Sequence, residues 1–167
     1  AGAAVISATE EDRGILSTHL HSEGEYARQL WLDAPSAGEK PRLTTEILEE
    51  GRQYLKMNGR EVFRHAVTRF PEVIIEGLNA NGLTTEDIDL LVPHQANLRI
   101  SKFVQKKLRL KDEQVYSNIQ KYGNTTAASI PIALAEAVKE GRIKKGDLVV
   151  FAAFGSGFTW ASAIVKW

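Results

Sequence analysis

From Thr125 to Glu140 the chain reads TTAASIPIALAEAVKE, a helical span that leaves almost no polar face before Glu136. A helix that is apolar on every side must be buried on every side. Gly141 ends it, and Asp147 to Ala153 (DLVVFAA) then forms a continuous apolar strand of the kind covered on both faces. Together the two segments restrict the fold to a layered α/β arrangement. They also demand more cover than one sheet and its outer helices provide, so a second layer is missing from this chain.

The remaining pattern agrees with α/β order. Ala3 to Ala8 and Ile15 to His21 read as two strands of a hairpin around Glu11-Asp12-Arg13-Gly14, and His19 and His21 read as solvated strand histidines rather than metal ligands. Ser22 to Thr44 lacks an apolar period and is punctuated by Gly24, Pro35, Gly38 and Pro41, an excursion of the sort that covers something. Gly59 to Asn81 is helical, with Pro71 expected to kink or split it. Leu90-Leu91-Val92 is a buried strand whose ladder Pro93 should end, Asn97 to Arg109 a helix, Val115 to Ser117 a short strand, and Phe158 to Trp167 the last strand. At 167 residues one core is expected, occupying residues 1–167.

His94 follows Pro93 directly, at the carboxyl end of a strand, where open α/β sheets bind ligands. Read singly, such a His is more often structural than catalytic. Asn124 stands about thirty residues on, at a second loop-to-helix junction, and by itself reads as a turn residue after Gly123. Taken together, an imidazole N–H and a carboxamide N–H converging on one carbonyl oxygen form an oxyanion hole suited to enolate chemistry. Gly155-Ser156-Gly157 presents backbone amides to such an oxyanion or is simply a tight connection.

Lysine plus arginine and aspartate plus glutamate balance at 21 each, so no global field favours nucleic acid. Locally, Arg99, Lys102, Lys106 and Arg109 line one helix face, and no acid occurs from Gln95 to Lys111. A basic face so close to His94 implies a substrate carried on something anionic; few aromatics interleave the cations, which argues against nucleic acid. There is no cysteine, hence no disulfide, thiolate metal site or thiol nucleophile. With no signal peptide and no apolar run of transmembrane length, a soluble cytoplasmic protein is expected. A start without Met, directly in strand-like sequence, suggests a fragment or processed piece.

Three stretches, VPHQANLRI, YGNTTAAS and FGSGFTWASAIV, supported by GILSTHLHS and NGREVFRHAV, resemble the carboxyl-terminal half of β-ketoacyl-acyl-carrier-protein synthase III, the initiating condensing enzyme of type II fatty acid synthesis. The resemblance implies one half of a thiolase-like fold, a five-stranded mixed sheet with helices, within a five-layer αβαβα architecture. It implies a decarboxylative Claisen condensation of an acyl-CoA primer with malonyl-acyl-carrier protein, in which a Cys on the amino-terminal half is acylated. His94 and Asn124 match the pair that stabilises the enolate, and Ser156 the small residue whose amide binds the acyl oxyanion, where the family commonly has Gly. Gln95, Ala96, Asn97, Leu98 and Arg99, with Arg64, Lys106 and Lys107, match the carrier-protein surface. Phe63, Ala96 and Asn97 match positions near the pantetheine arm. Coenzyme A and phosphopantetheine thioesters are implied as substrates with no tightly bound cofactor or metal. The implied partners are the Cys-bearing half, acyl carrier protein and acyl-CoA, in a homodimer. Two alternatives stand beside this: a non-catalytic carrier-protein-binding module, and a related polyketide-type condensing or acyl-transfer enzyme.

Overall fold

The computed structural model describes all 167 residues. In chain order the elements are β1 (Gly14–Ser22), β2 (Leu30–Trp31), α1 (Thr45–Glu49), β3 (Lys56–Met57), α2 (Gly59–Ala80), β4 (Leu90–Pro93), α3 (Leu98–Leu108), α4 (Ile119–Tyr122), α5 (Ser129–Lys139), β5 (Leu148–Gly155) and β6 (Thr159–Lys166), with short 3-10 turns between them. One mixed sheet runs β1-β6-β5-β4, with β4 parallel to β5 and the other pairings antiparallel. A β2–β3 ribbon ties the excursion, at Leu30–Trp31, to the segment just before α2. No helix is long and apolar enough to cross a membrane.

The larger core lies between one sheet face and helices α2 and α3. Phe70, Ile74 and Leu78 of α2 and Val104 and Leu108 of α3 close over Val150, Phe154 and Ile164. Gly77 permits this contact, because a Cβ there would stand 2.9 Å from Ile164 Cδ1. Pro71 is buried inside a single 22-residue α2, so the expected division of that helix does not occur. The smaller core lies on the opposite face, where Ala133 and Ala137 of α5 pack on Leu90, Val92 and Val149.

Helix α5 covers β4 and β5 only. Ser129, Ala133 and Ala137 are buried, whereas Ile130, Pro131, Ile132 and Leu134 are half-buried and Val138 is exposed. The expected burial on all sides is therefore not met within this chain, because the sheet reaches only one side of the helix. Strand β1 has the matching property. Its polar row, Ser17, His19 and His21, faces α2, while Leu16 and Leu20 point away and Leu20 is 73% exposed.

Four further expectations change. Ala3 to Ala8 forms no strand, and β1 pairs with β6 instead of entering a hairpin. His19 and His21 are not simply solvated: both reach the Glu76 carboxylate of α2, at 3.3 and 2.6 Å. The anticipated fifth strand at Val115 is reduced to one bridge with Leu91, leaving four strands. Pro93 does not end its ladder, since it pairs with Ala152 and the next N–H, of His94, donates to Ala152 O at 2.8 Å. Successive residues of a strand address opposite neighbours, so the missing N–H of Pro93 falls on the side away from β5.

Candidate active site

The parallel β4–β5 pair delivers His94 to the sheet edge, and its imidazole is held from behind by Ser129 Oγ, 2.6 Å from Nδ1. Nε2 has no partner within the chain. Burial disfavours the charged ring and holds its pKa below the ordinary histidine value.

Gln95 turns inward instead of outward and is 1% exposed. Its Nε2 donates to Pro93 O at 2.7 Å and to Tyr116 O at 3.4 Å, while Oε1 accepts from the Asn118 N–H at 3.1 Å and the Ser117 hydroxyl at 3.2 Å. The side chain thus stands in for a strand backbone, filling the place where the fifth strand would have continued. A residue sealed in this way offers nothing to a macromolecule docking outside, which corrects its assignment to the carrier-protein surface.

Asn124 enters from the second junction. Gly123 precedes it with φ 66° and ψ −156°, a conformation essentially reserved for glycine. Asn124 Oδ1 accepts the Thr126 N–H at 2.8 Å, which leaves its NH2 as a free donor. Thr126 itself has φ 53°, unusual for a β-branched residue, and the helical turns that follow lead into α5. The expected helix start at Thr125 therefore becomes a 3-10 turn, with α5 proper beginning at Ser129.

The third element is the turn from β5 to β6. Phe158 is wholly buried, packed on Tyr26, His65 and Phe154, and its φ of 39° folds the chain back so that Ser156 stands exposed. The Ser156 N–H has no acceptor in the chain, and the Gly157 N–H donates to Leu30 O at 3.4 Å.

His94, Asn124 and Ser156 open on one cleft of about 1320 Å³. Phe63, Ala96, Asn97 and Arg99 line it as well, whereas Gln95, Leu98, Arg64, Lys106 and Lys107 do not. Arg99 lies over the Phe63 ring, 5.8 Å from its centroid, and Phe63 meets Phe103 edge-on at 6.4 Å. Arg99, Lys102, Lys106, Lys107 and Arg109 make no ion pair, so the basic face of α3 is unneutralised in space as it is in sequence. Arg64 differs, being paired with Glu61. No group of three His, Cys, Asp or Glu side chains is placed to hold a metal ion. The arrangement can donate hydrogen bonds to a developing oxyanion but holds no thiol nucleophile, since the chain has no cysteine. Sequence reading did not single out Ser129, which is one of three hydroxyl residues, with Thr125 and Thr126, at the head of an otherwise apolar span.

Residues 78–167 match the C-terminal family of 3-oxoacyl-[acyl-carrier-protein (ACP)] synthase III. The whole chain is 47% identical to the β-ketoacyl-[acyl-carrier-protein] synthase III of Roseiflexus castenholzii, covering 50% of that protein. It superposes on the crystal structure of the β-ketoacyl-[acyl-carrier-protein] synthase III of Thermus thermophilus with a TM-score of 0.85 and 41% identity, over 97% of this chain and 49% of the other. The priming β-ketosynthase of the R1128 polyketide biosynthetic pathway is also similar, with a TM-score of 0.79 and 31% identity over 92% of this chain and 45% of that one. The chain spans about half the length of the curated relatives it matches.

Proposed function

The chain belongs to the β-ketoacyl-[acyl-carrier-protein] synthase III family, and on that premise we propose that it works as the enolate-stabilising, carrier-docking half of a cytoplasmic condensing enzyme. In this reading an amino-terminal half supplies a Cys that an acyl-CoA primer acylates. Malonyl-acyl-carrier protein then enters this half's cleft and loses CO2. The resulting enolate attacks the acyl-cysteine, releasing the β-ketoacyl-carrier protein. Neutral His94, through Nε2, and the Asn124 amide donate to the malonyl thioester oxygen as negative charge develops on it. The Ser156 N–H does the same for the tetrahedral intermediate on the acyl carbon. Phe63, Ala96 and Asn97 flank the phosphopantetheine arm, while Arg99, with Lys106, Lys107, Leu98 and Arg64, receives the anionic carrier.

The observation that carries the reading is that His94 Nε2 and the Asn124 NH2, delivered by separate junctions, are both unpartnered in one cleft, each side chain anchored through its other polar atom. The apolar outer sides of α5 and β1 support the existence of the second half, which would cover them. The assembled enzyme is a homodimer in this reading. In the complete enzyme, His94→Ala and Asn124→Ala should each lower malonyl decarboxylation about 100- to 1,000-fold while leaving acylation of the Cys largely intact. Equal loss of both half-reactions would remove the proposed division of labour.

A further inference from the structure

The contact between His94 and the first turn of α5 anchors the ring, and it also bears on which of the two ring nitrogens carries the proton. Ser129 is 2% exposed, and its hydroxyl oxygen accepts the Gln95 N–H at 3.2 Å while lying 2.6 Å from His94 Nδ1. A serine hydroxyl has one proton to donate and two lone pairs to offer. With the Gln95 N–H on one lone pair, the proton still needs an acceptor, and Nδ1 is the only one within hydrogen-bond reach. Turning the imidazole proton toward Ser129 would leave a buried O–H with nowhere to donate, an arrangement native interiors avoid.

We propose that Ser129 is a positioning residue that donates its O–H to Nδ1 and so holds His94 as the neutral tautomer with its proton on Nε2, facing the cleft. The inference rests on the proposed enolate-stabilising role and says how that donor is prepared. Only the Nε2–H tautomer offers the cleft a hydrogen; its alternative would present a lone pair to a developing oxyanion and repel it. An imidazolium would carry N–H groups at both positions and would set Nδ1–H against the Ser129 proton, so the same contact opposes charging of the ring. Because Ser129 opens α5 and His94 directly follows β4, the hydrogen bond also ties the ring to two rigid elements.

The test uses the complete synthase with 15N-labelled histidine, the His94 signals being those absent from His94→Gln. The wild-type spectrum should show a protonated Nε2 and an unprotonated, hydrogen-bonded Nδ1. Ser129→Ala should shift this equilibrium and lower kcat for malonyl decarboxylation about 10- to 100-fold, with KM changed less than about threefold and Cys acylation unaffected. Ser129→Thr, which keeps the hydroxyl, should restore both the spectrum and the rate. A wild-type ring protonated at Nδ1 would overturn the proposal, as would an unchanged tautomer and rate in Ser129→Ala. If Ser129→Ala does not fold, the wild-type and Ser129→Thr spectra still decide. The spectrum reads the tautomer independently of turnover. A correct tautomer in an enzyme that does not decarboxylate malonyl thioesters would leave Ser129's role standing and refute the proposed reaction instead.

Discussion

Replacing Gln95 tests whether this residue is a structural surrogate for backbone or a docking contact. In Gln95→Ala, Pro93 O loses a 2.7 Å bond and the Asn118 N–H a 3.1 Å bond, while the longer contacts to Tyr116 O and Ser117 Oγ also disappear. Asn118 is 2% exposed and Pro93 is buried, so water does not replace these bonds in the folded state. A buried group left without a partner costs about 1–3 kcal/mol. Two such groups, with partial relaxation, place the loss at about 2–5 kcal/mol, since neighbouring contributions do not add fully. Hydrogen exchange in the complete enzyme reads this locally. Protection of the Asn118 amide should fall roughly 30- to 4,000-fold, at tenfold per 1.4 kcal/mol, along with that of the Tyr116 amide, which donates to Leu91 O. Decarboxylation should fall too, because His94 and the segment leading to Asn124 lose their common tie. Unchanged exchange at Asn118, combined with a raised KM for carrier protein, would show that Gln95 faces the partner after all and would refute the reasoning.

Arg99→Glu should raise KM for the carrier-protein substrate strongly and weaken its salt dependence, yet leave a malonyl-pantetheine surrogate little affected; equal impairment of both substrates would place Arg99 on the thioester arm. The His94 pKa is lowered by burial, so between its folded and unfolded values the unfolded chain binds more protons and stability rises with pH. Denaturant titrations should therefore show stability being lost as pH falls through the ordinary histidine range, and His94→Gln should flatten that slope; a slope unaffected by the substitution would mean that His94 is not the group being charged.

Much of the architecture was legible because burial leaves a periodic trace. The helices at α2 and α3, the buried β4 and the apolar β5 follow from the spacing of apolar residues. The pairing of β1 was not legible, because Ala3 to Ala8 has strand composition but no partner, and a strand's register depends on residues remote in sequence. Pro71 misled for a different reason: a helix packed along its length on a sheet tolerates one missing N–H that an isolated helix would not. The positions of His94 and Asn124 were visible as loop-to-helix junctions, and both side chains line the same cleft. Gln95 and Ser129 were not visible as supports. Nothing in a linear pattern distinguishes an amide that faces solvent from one that replaces a strand, or a helix-opening serine from one that holds an imidazole.

The pairing of β1 with β6 sets Gly14 opposite Lys166, so this edge of the sheet joins residues about 150 positions apart in sequence. Loop-closure entropy must be met in full before such a contact returns anything, and pairings of this range form late and slowly. During synthesis β1 emerges well before β6, so it has no partner strand until the intervening residues have been made. Until that moment its unpaired backbone is available to any other strand, beside an apolar row, Leu16 and Leu20, that pairing with β6 does not cover. The interval between emergence of β1 and its capture by β6 is thus the period in which this polypeptide is most exposed to aggregation, and the time at which a holding chaperone would matter most.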